Sequence, residues 1–229
     1  MRGRAFVDVG SVAPGDTATL DPAESHYLVR VRRVAAGDTV QILDGATTRH
    51  DATVVRADAK ACIVQVGDPV QEPELVPRIV LMGIVDARAV ADAVTLASEA
   101  GATEIVPVRT ARAQASMPPA TRLDKVLRAA QRQCGRAVPL RLGPVIDWPS
   151  ALRPHAPLTA WVASPGAVTA PRAAGPDEGA QVLIGPEGGL TPQEVEQAHC
   201  AGFGALSLGP FVQRTPTAIV SALALLSRG

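Results

Sequence analysis

From Val182 to Leu226 the chain reads as strand, glycine loop, helix, strand, second glycine loop, helix, an order that few folds accept. Val182-Leu183-Ile184 is an apolar run short enough for one buried strand, and Gly185-Pro186-Glu187-Gly188-Gly189 follows it at once as a tight turn. Thr191 then stands as an N-cap before Pro192, with Glu194 completing a capping box, so a helix opens there and runs to about Ala201. Gly202 is its expected C-cap, and Ala205 to Leu208 form a second short strand. Gly209-Pro210 closes that strand. Arg214-Thr215-Pro216-Thr217 begins the last helix, Ala218 to Leu226, which is apolar on most faces and therefore buried. Two strand ends followed by Gly-Pro loops are expected side by side at the carboxyl edge of a parallel sheet, where open α/β sheets bind ligands. Glycines let backbone approach a ligand closely, and the free N–H groups of a helix start favour acceptor atoms or negative charge. A Gly-Pro pair at a strand end serves equally as a plain turn. The pairing of two such loops, with Arg214 and two threonines in the second, favours the ligand site.

The upstream segments supply the rest of such a sheet. Arg78 to Met82 reads as a strand, Asp86 to Ala100 as a helix ending at Gly101, and Glu104 to Val108 as the next strand, a β-α-β unit that implies parallel pairing. Leu158 to Ala163 is a further strand, turned by Ser164-Pro165-Gly166, and Pro165 to Gly179 reads as a surface loop. Residues 1–70 read as a small β-rich domain. It has a strand over Ala5 to Val9 and a helix opened by Asp21-Pro22-Ala23-Glu24 that runs to about Val34. Strands over Thr39 to Leu43, Asp51 to Arg56 and Ala61 to Val66 follow, turned at Asp44-Gly45 and Asp58, as in a compact barrel or meander. The proline-rich Asp68 to Pro77 is the linker, so the expected domains are 1–70 and 71–229.

With 22 basic and 22 acidic residues the chain has no global field that announces nucleic acid as a partner, so local charge must carry any such role. His26, Arg30 and Arg33 share one face of the first helix, with Arg32 nearby, and this face serves either phosphate contact or a solvated surface paired to local acids. Arg109 to Arg141 is strongly basic, with Asp124 as its one acid. Arg122, Lys125, Arg128, Arg132 and Arg136 recur at intervals of three and four, so one helix presents a basic stripe that favours a phosphate-binding surface. Glu99, at a helix end, reads as surface. Cys62, Cys134 and Cys200 lack any Cys-x-x-Cys spacing and the four histidines lack ligand spacing, so no metal and no disulfide framework is expected. No apolar run has signal-peptide or membrane-span length, and a cytoplasmic protein is expected.

Ile184-Gly185-Pro186-Glu187-Gly188-Gly189, followed by Leu208-Gly209-Pro210 and Arg214-Thr215, resembles the C-terminal signature of the RsmE family. These are SPOUT-class methyltransferases that modify N3 of a uridine in 16S ribosomal RNA of the small subunit. Weaker similarity covers nearly the whole chain: Glu24 to Val34 is similar to the family's N-terminal PUA-like β-barrel, and Gln133-Cys134-Gly135-Arg136 resembles its Gln-Ser-Gly-Arg passage. The resemblance implies a trefoil knot over about 158–229, a homodimer, and S-adenosylmethionine held in a bent shape. The cofactor residues it implies are Val162, Leu183, Ile184, Gly185, Pro186, Glu187, Gly188, Gly189, Leu208, Gly209, Val212, Thr215 and Thr217. The RNA contacts it points to are Arg2, Arg4, His26, Arg30, Arg32, Arg33, Arg132 and Arg136. Methyl transfer is an in-line displacement, and N3 of uridine must lose a proton, so Arg214 is the expected catalytic residue, a cation stabilising the uracil as that proton leaves. N3 lies on the Watson–Crick edge, which requires an unpaired or flipped target. Two departures stand out. Val85-Asp86-Ala87-Arg88 lacks the lysine usual there, and Pro216-Thr217-Ala218 replaces a Glu-Thr-Ala. They keep open a non-catalytic RNA-binding relative, a methyltransferase acting on another RNA, or a different nucleotide at the glycine loop.

Overall fold

The alternation of polar and apolar residues from Asp51 to Val54 buries one side of a strand, and the first part of the chain is built on that pattern. The computed structural model describes residues 3–6, 12–43, 48–72, 74–113, 115–153, 157–167 and 178–227. Its contacts separate into two units, residues 1–73 with 131–139 and residues 74–130 with 140–229. In the first unit β1 (Arg4–Phe6), β2 (Thr17–Thr19), β3 (Thr39–Leu43), β4 (Arg49–Arg56) and β5 (Ile63–Val70) form one sheet in the order β1-β3-β4-β5-β2. β1 runs parallel to β3 and the other pairs are antiparallel. Val40, Ile42, Ala52, Val54, Val64 and Val66 face a core closed by Leu20 and Leu28. The strand expected over Ala5 to Val9 is seen only to Phe6; residues 7–11, like the Asp44-Gly45 turn, lie outside the described residues.

Two elements of this unit differ from expectation. Asp21 caps α1 (Pro22–His26) by accepting the Glu24 N–H at 2.8 Å, but the α-helix stops at His26. Tyr27–Val31 is a π-helical turn, closed by the Arg32 N–H donating to the Tyr27 carbonyl at 2.9 Å, and Arg33 sits at φ 56°. The β-branched Val29 and Val31 weaken regular helix, and widening the turn buries Leu28 and Val34 while Arg30 to Arg33 stay in solvent. β5 also runs through Pro69 to Val70, into the expected linker, where a register shift between His50 and Ala52 of β4 accommodates it.

The second unit is a wholly parallel sheet of β6 (Arg78–Gly83), β7 (Glu104–Arg109), β8 (Arg141–Leu142), β9 (Ile146–Asp147), β10 (Thr159–Ala163), β11 (Ala180–Ile184) and β12 (Gly204–Leu206). Its order is β12-β10-β11-β6-β7-β8, with β9 also on β7. The helices are α2 (Ala87–Glu99), α3 (Ala120–Cys134, of which residues 131–134 count with the first unit), α4 (Trp148–Ala151), α5 (Pro192–Cys200) and α6 (Thr215–Leu226). β6 and β11 are buried on both faces, in keeping with the apolar runs Ile79–Met82 and Val182–Ile184, and Arg78 and Gln181 are the polar residues buried with them. Val80, Met82, Val182 and Ile184 pack on α2 and α6, while Ile79, Leu81, Leu183 and Val162 pack on Ala198 of α5 and Ala151 of α4. One expectation is corrected: β11 and β12 are not neighbours, because β10 lies between them and pairs with both. Gly204 permits this close pairing, since a Cβ there would meet the Trp161 ring at 2.8 Å.

Candidate functional site

With β10 in the middle, three strand ends deliver three turns to one cavity of about 630 Å³. Ser164–Gly166 follows β10, Gly185–Leu190 follows β11, and Leu208–Gln213 follows β12; the starts of α5 and α6 and the side chain of Arg112 close the walls. Ile184, Gly185, Pro186, Glu187, Gly188, Gly189, Leu208, Gly209, Val212 and Thr215, all expected at a cofactor site, line it. Val162 and Leu183 are instead buried in the layer beneath, and Thr217 is on the exposed side of the first turn of α6. Arg214 is the N-cap residue of α6, its carbonyl accepting the Ala218 N–H at 2.9 Å, and its exposed side chain is bonded to no described residue.

Local hydrogen bonding explains why these loops hold their shape. The Gly189 N–H donates to the Pro186 carbonyl at 2.7 Å, and Gly189 takes φ 70°, a value that favours glycine. The capping box is present as expected: the Glu194 N–H donates to the Thr191 hydroxyl at 3.1 Å and the Thr191 N–H to Glu194 Oε2 at 2.8 Å. Glu194 is buried, and its Oε1 accepts the Ala111 N–H at 2.7 Å, which ties the turn after β7 to the start of α5. Thr215 donates its hydroxyl to the Gly185 carbonyl at 3.0 Å, which stitches the first glycine loop to α6. In the second loop, Gln213 donates to the Leu208 carbonyl at 2.9 Å and accepts the Ser221 hydroxyl at 2.8 Å. The N–H groups of Glu187, Gly188 and Leu190 donate to no described residue, leaving a row of donors beside apolar walls.

Sequence reasoning missed two contributors. The Ser164–Gly166 turn was expected only as a turn, and Arg112 only as part of a basic tract. Arg112 donates to the Gly188 carbonyl at 2.6 Å and lines the cavity. Nothing local in the sequence signals a contact between residues so far apart.

The basic residues divide into two groups. Within the first unit, Arg4 donates to the carbonyls of Gln133 at 3.0 Å and Arg132 at 3.4 Å, and to Gln41 Oε1 at 3.2 Å. Arg132 is ion-paired with Glu24 and lies 4.7 Å over the Tyr27 ring. Arg136 donates to the Val138 carbonyl at 2.6 Å, and burial pushes its guanidinium pKa down. Arg49 pairs with Glu72 at 2.9 Å, and Glu72 also accepts the Ala137 N–H at 2.7 Å. Arg4, Arg132 and the Arg49-paired Glu72 therefore hold residues 131–139 in the first unit. His26 is exposed at the end of α1, Arg30, Arg32 and Arg33 are exposed on and after the π-helical turn, and Arg122, Lys125 and Arg128 are exposed on α3. Arg2 lies outside the described residues.

A family model described as the RNA methyltransferase domain matches residues 72–227, and one described as the RNA methyltransferase PUA domain matches residues 20–67. The chain belongs to the RNA methyltransferase family. Among members of this family, the chain is 30% identical over 227 residues to the ribosomal RNA small subunit methyltransferase E of Mycobacterium bovis, covering 91% of this chain and 85% of that one. The protein of the same name from Synechocystis is 28% identical, covering 92% and 73%. Two solved methyltransferases share the fold. One from Legionella pneumophila, in complex with the bound cofactor SAM, has TM-score 0.82 at 22% identity, with 99% and 97% of the two chains covered. The ribosomal RNA small subunit methyltransferase E of Neisseria gonorrhoeae, bound to S-adenosyl methionine, has TM-score 0.81 at 24% identity, with 98% and 96% covered.

Proposed function

We propose that this protein uses S-adenosylmethionine to methylate N3 of a uridine in 16S ribosomal RNA of the small subunit. The observation that carries the reading is the convergence of both glycine loops on one cavity in a chain of the RNA methyltransferase family. The residues present fit the cofactor. A cavity of about 630 Å³ suits a ligand of that size, Ile184, Leu190, Leu208 and Val212 give apolar walls, and the unpaired N–H groups of the Gly185–Leu190 loop give donors for its polar edges. Bound there, the cofactor supplies an electrophilic methyl group.

Arg214 is the proposed catalytic residue. It stands at the start of α6, beside the cavity-lining Gln213 and Thr215, and its guanidinium has no described partner to compete with a substrate. A fixed cation there stabilises the negative charge that develops on uracil as N3 loses its proton. The exposed His26, Arg30, Arg32 and Arg33 contact the phosphates of flanking RNA, which positions the substrate without reading its sequence. The division of roles follows the expected domains, 1–70 for RNA and 71–229 for transfer, with the final segment from about residue 158 tied as a trefoil knot. The active form is a homodimer, a reading supported by Phe211 and Val212, 83% and 81% exposed at the rim of the cavity. It works in the cytoplasm, where its RNA substrate is assembled.

The test is transfer of a labelled methyl group from S-adenosylmethionine to small ribosomal subunits and to naked 16S RNA lacking the modification, followed by mass spectrometry of the nucleosides. Recovery of 3-methyluridine is expected. A different methylated nucleoside would overturn the N3 assignment, and no incorporation by protein that binds the cofactor would overturn the substrate.

A further inference from the structure

We infer that Arg112 is a positioning residue for the first glycine loop, and that it sets the affinity of the cavity for the cofactor without belonging to the RNA-binding surface. The inference rests on the proposed cofactor site. Arg112 leaves the turn after β7 and crosses to the loop after β11, where Nη1 donates to the Gly188 carbonyl at 2.6 Å and to the Leu190 carbonyl at 3.4 Å. Its aliphatic stem lies on Gly188, where an added Cβ would stand 3.4 Å from Arg112 Cβ and 3.5 Å from Cδ, so stem and head both hold the loop. The same turn is fixed to α5 through the Ala111 N–H and the buried Glu194, which prevents Arg112 from following a displaced loop. In a trans peptide the carbonyl and the following N–H point opposite ways. Holding the Gly188 carbonyl on Arg112 therefore aims the Gly189 N–H at the Pro186 carbonyl, the bond that shapes the turn. Among the described lining residues Arg112 is also the one cation, in a cavity that Glu187 and Glu196 line as well.

The experiment compares wild type with Arg112→Met, Arg112→Ala and Arg112→Lys by calorimetric titration with S-adenosylmethionine, thermal unfolding, and hydrogen exchange of the amides from 186 to 191. Met keeps the stem and removes the donors; Lys restores one donor. Two hydrogen bonds from a charged group are lost in the first two variants, so their Kd is expected to rise about 10- to 100-fold with near-normal unfolding. Lys should recover most of the loss, and RNA affinity should not change. Exchange of the Gly189 amide should accelerate in Arg112→Met even without cofactor, which tests the positioning independently of what the cavity binds. A wild-type Kd and unchanged Gly189 exchange in Arg112→Met would overturn the inference, as would a loss confined to RNA affinity. Wild-type protein that binds no S-adenosylmethionine would overturn the cofactor reading instead.

Discussion

Gly83 is the position where a single methyl group should reshape the cavity from outside it. It ends β6, and a Cβ there would lie 2.6 Å from Pro186 Cδ and 2.7 Å from Pro186 N. Carbon atoms in ordinary contact stand about 3.5–4.0 Å apart, so the two must separate by roughly 1 Å. Pro186 has no rotamer to change, because its ring is closed on the backbone. β6 is paired on both sides, with β7 and β11, so the Gly185–Leu190 loop has to give way. Inserting one carbon into such packing costs about 1–3 kcal/mol, and for a chain of this size each kcal/mol lowers Tm by about 2–4 °C. Gly83→Ala should therefore unfold several degrees early and bind S-adenosylmethionine at least tenfold more weakly. Gly101→Ala is the control: Gly101 has φ 85° and no atom within 4 Å of its Cβ, so substitution strains the backbone but leaves the cavity alone. It should lose stability and keep its Kd. Differential scanning calorimetry and cofactor titration on the two variants make the comparison. A Gly83→Ala protein with a wild-type Kd and Tm would refute the claim that this glycine is required by the loop above it.

Arg214→Ala should abolish methyl transfer in a single-turnover assay while cofactor Kd stays within a few fold, because its side chain is outside the cavity lining; weakened cofactor binding would make it a clamp instead. Changing Arg30 and Arg33 together to Glu should weaken RNA binding and flatten its salt dependence, measured by filter binding across a salt series. Thr215→Val removes the hydroxyl that bonds Gly185, and should cost about 1–2 kcal/mol in denaturant unfolding together with loss of cofactor affinity. Backbone N–H groups of Ala89 and Arg88 hold the Asp86 carboxyl below its usual pKa, and the Ser150 hydroxyl and N–H do the same for Asp147. A depressed carboxyl stabilises the fold above its unfolded-state pKa and loses that contribution as pH falls through the folded value. The Tm should thus fall as the pH drops below about 4, and fall less in Asp86→Asn, as followed by circular dichroism.

What the sequence made legible, and what it hid, follows from the distance over which each interaction acts. The Thr191–Glu194 box and the Asp21 cap are completed within one helical turn, so residue type and spacing were enough to place them; Asp86, read as the first residue of a helix, is instead its N-cap. The strand next to β11 was not readable, because nothing in a short buried strand says which other strand it pairs with, and β10 took the place expected of β12. The basic stripe shows the same limit. Arg122 and Arg132 look alike in a window of helix, yet Arg132 meets Glu24 and Tyr27, more than a hundred positions upstream, while Arg122 meets solvent. Periodicity placed Arg122, Lys125 and Arg128 on one exposed face, but it carried the stripe on to Arg136, which lies beyond the helix end at Cys134, and could not say that the last turn belongs to a different unit.

Pro216 completes the argument. Where relatives in the resembled family carry a glutamate, this chain has a proline at the second position of α6, buried, in the helix turn whose N–H groups have no intrahelical acceptor. Proline therefore gives up no hydrogen bond there and presets the helical φ, so the exchange is locally favourable whatever the carboxylate does elsewhere. The fold consequently gives no reason to retain a glutamate, and any requirement for one must come from the chemistry. Replacing Pro216 with Glu separates the two: stability should fall slightly, and the single-turnover rate of transfer should stay within a few fold of wild type if Arg214 suffices. A rate that rises a hundredfold would show that a carboxylate is needed beside the arginine, and that this chain works without a group its reaction can use.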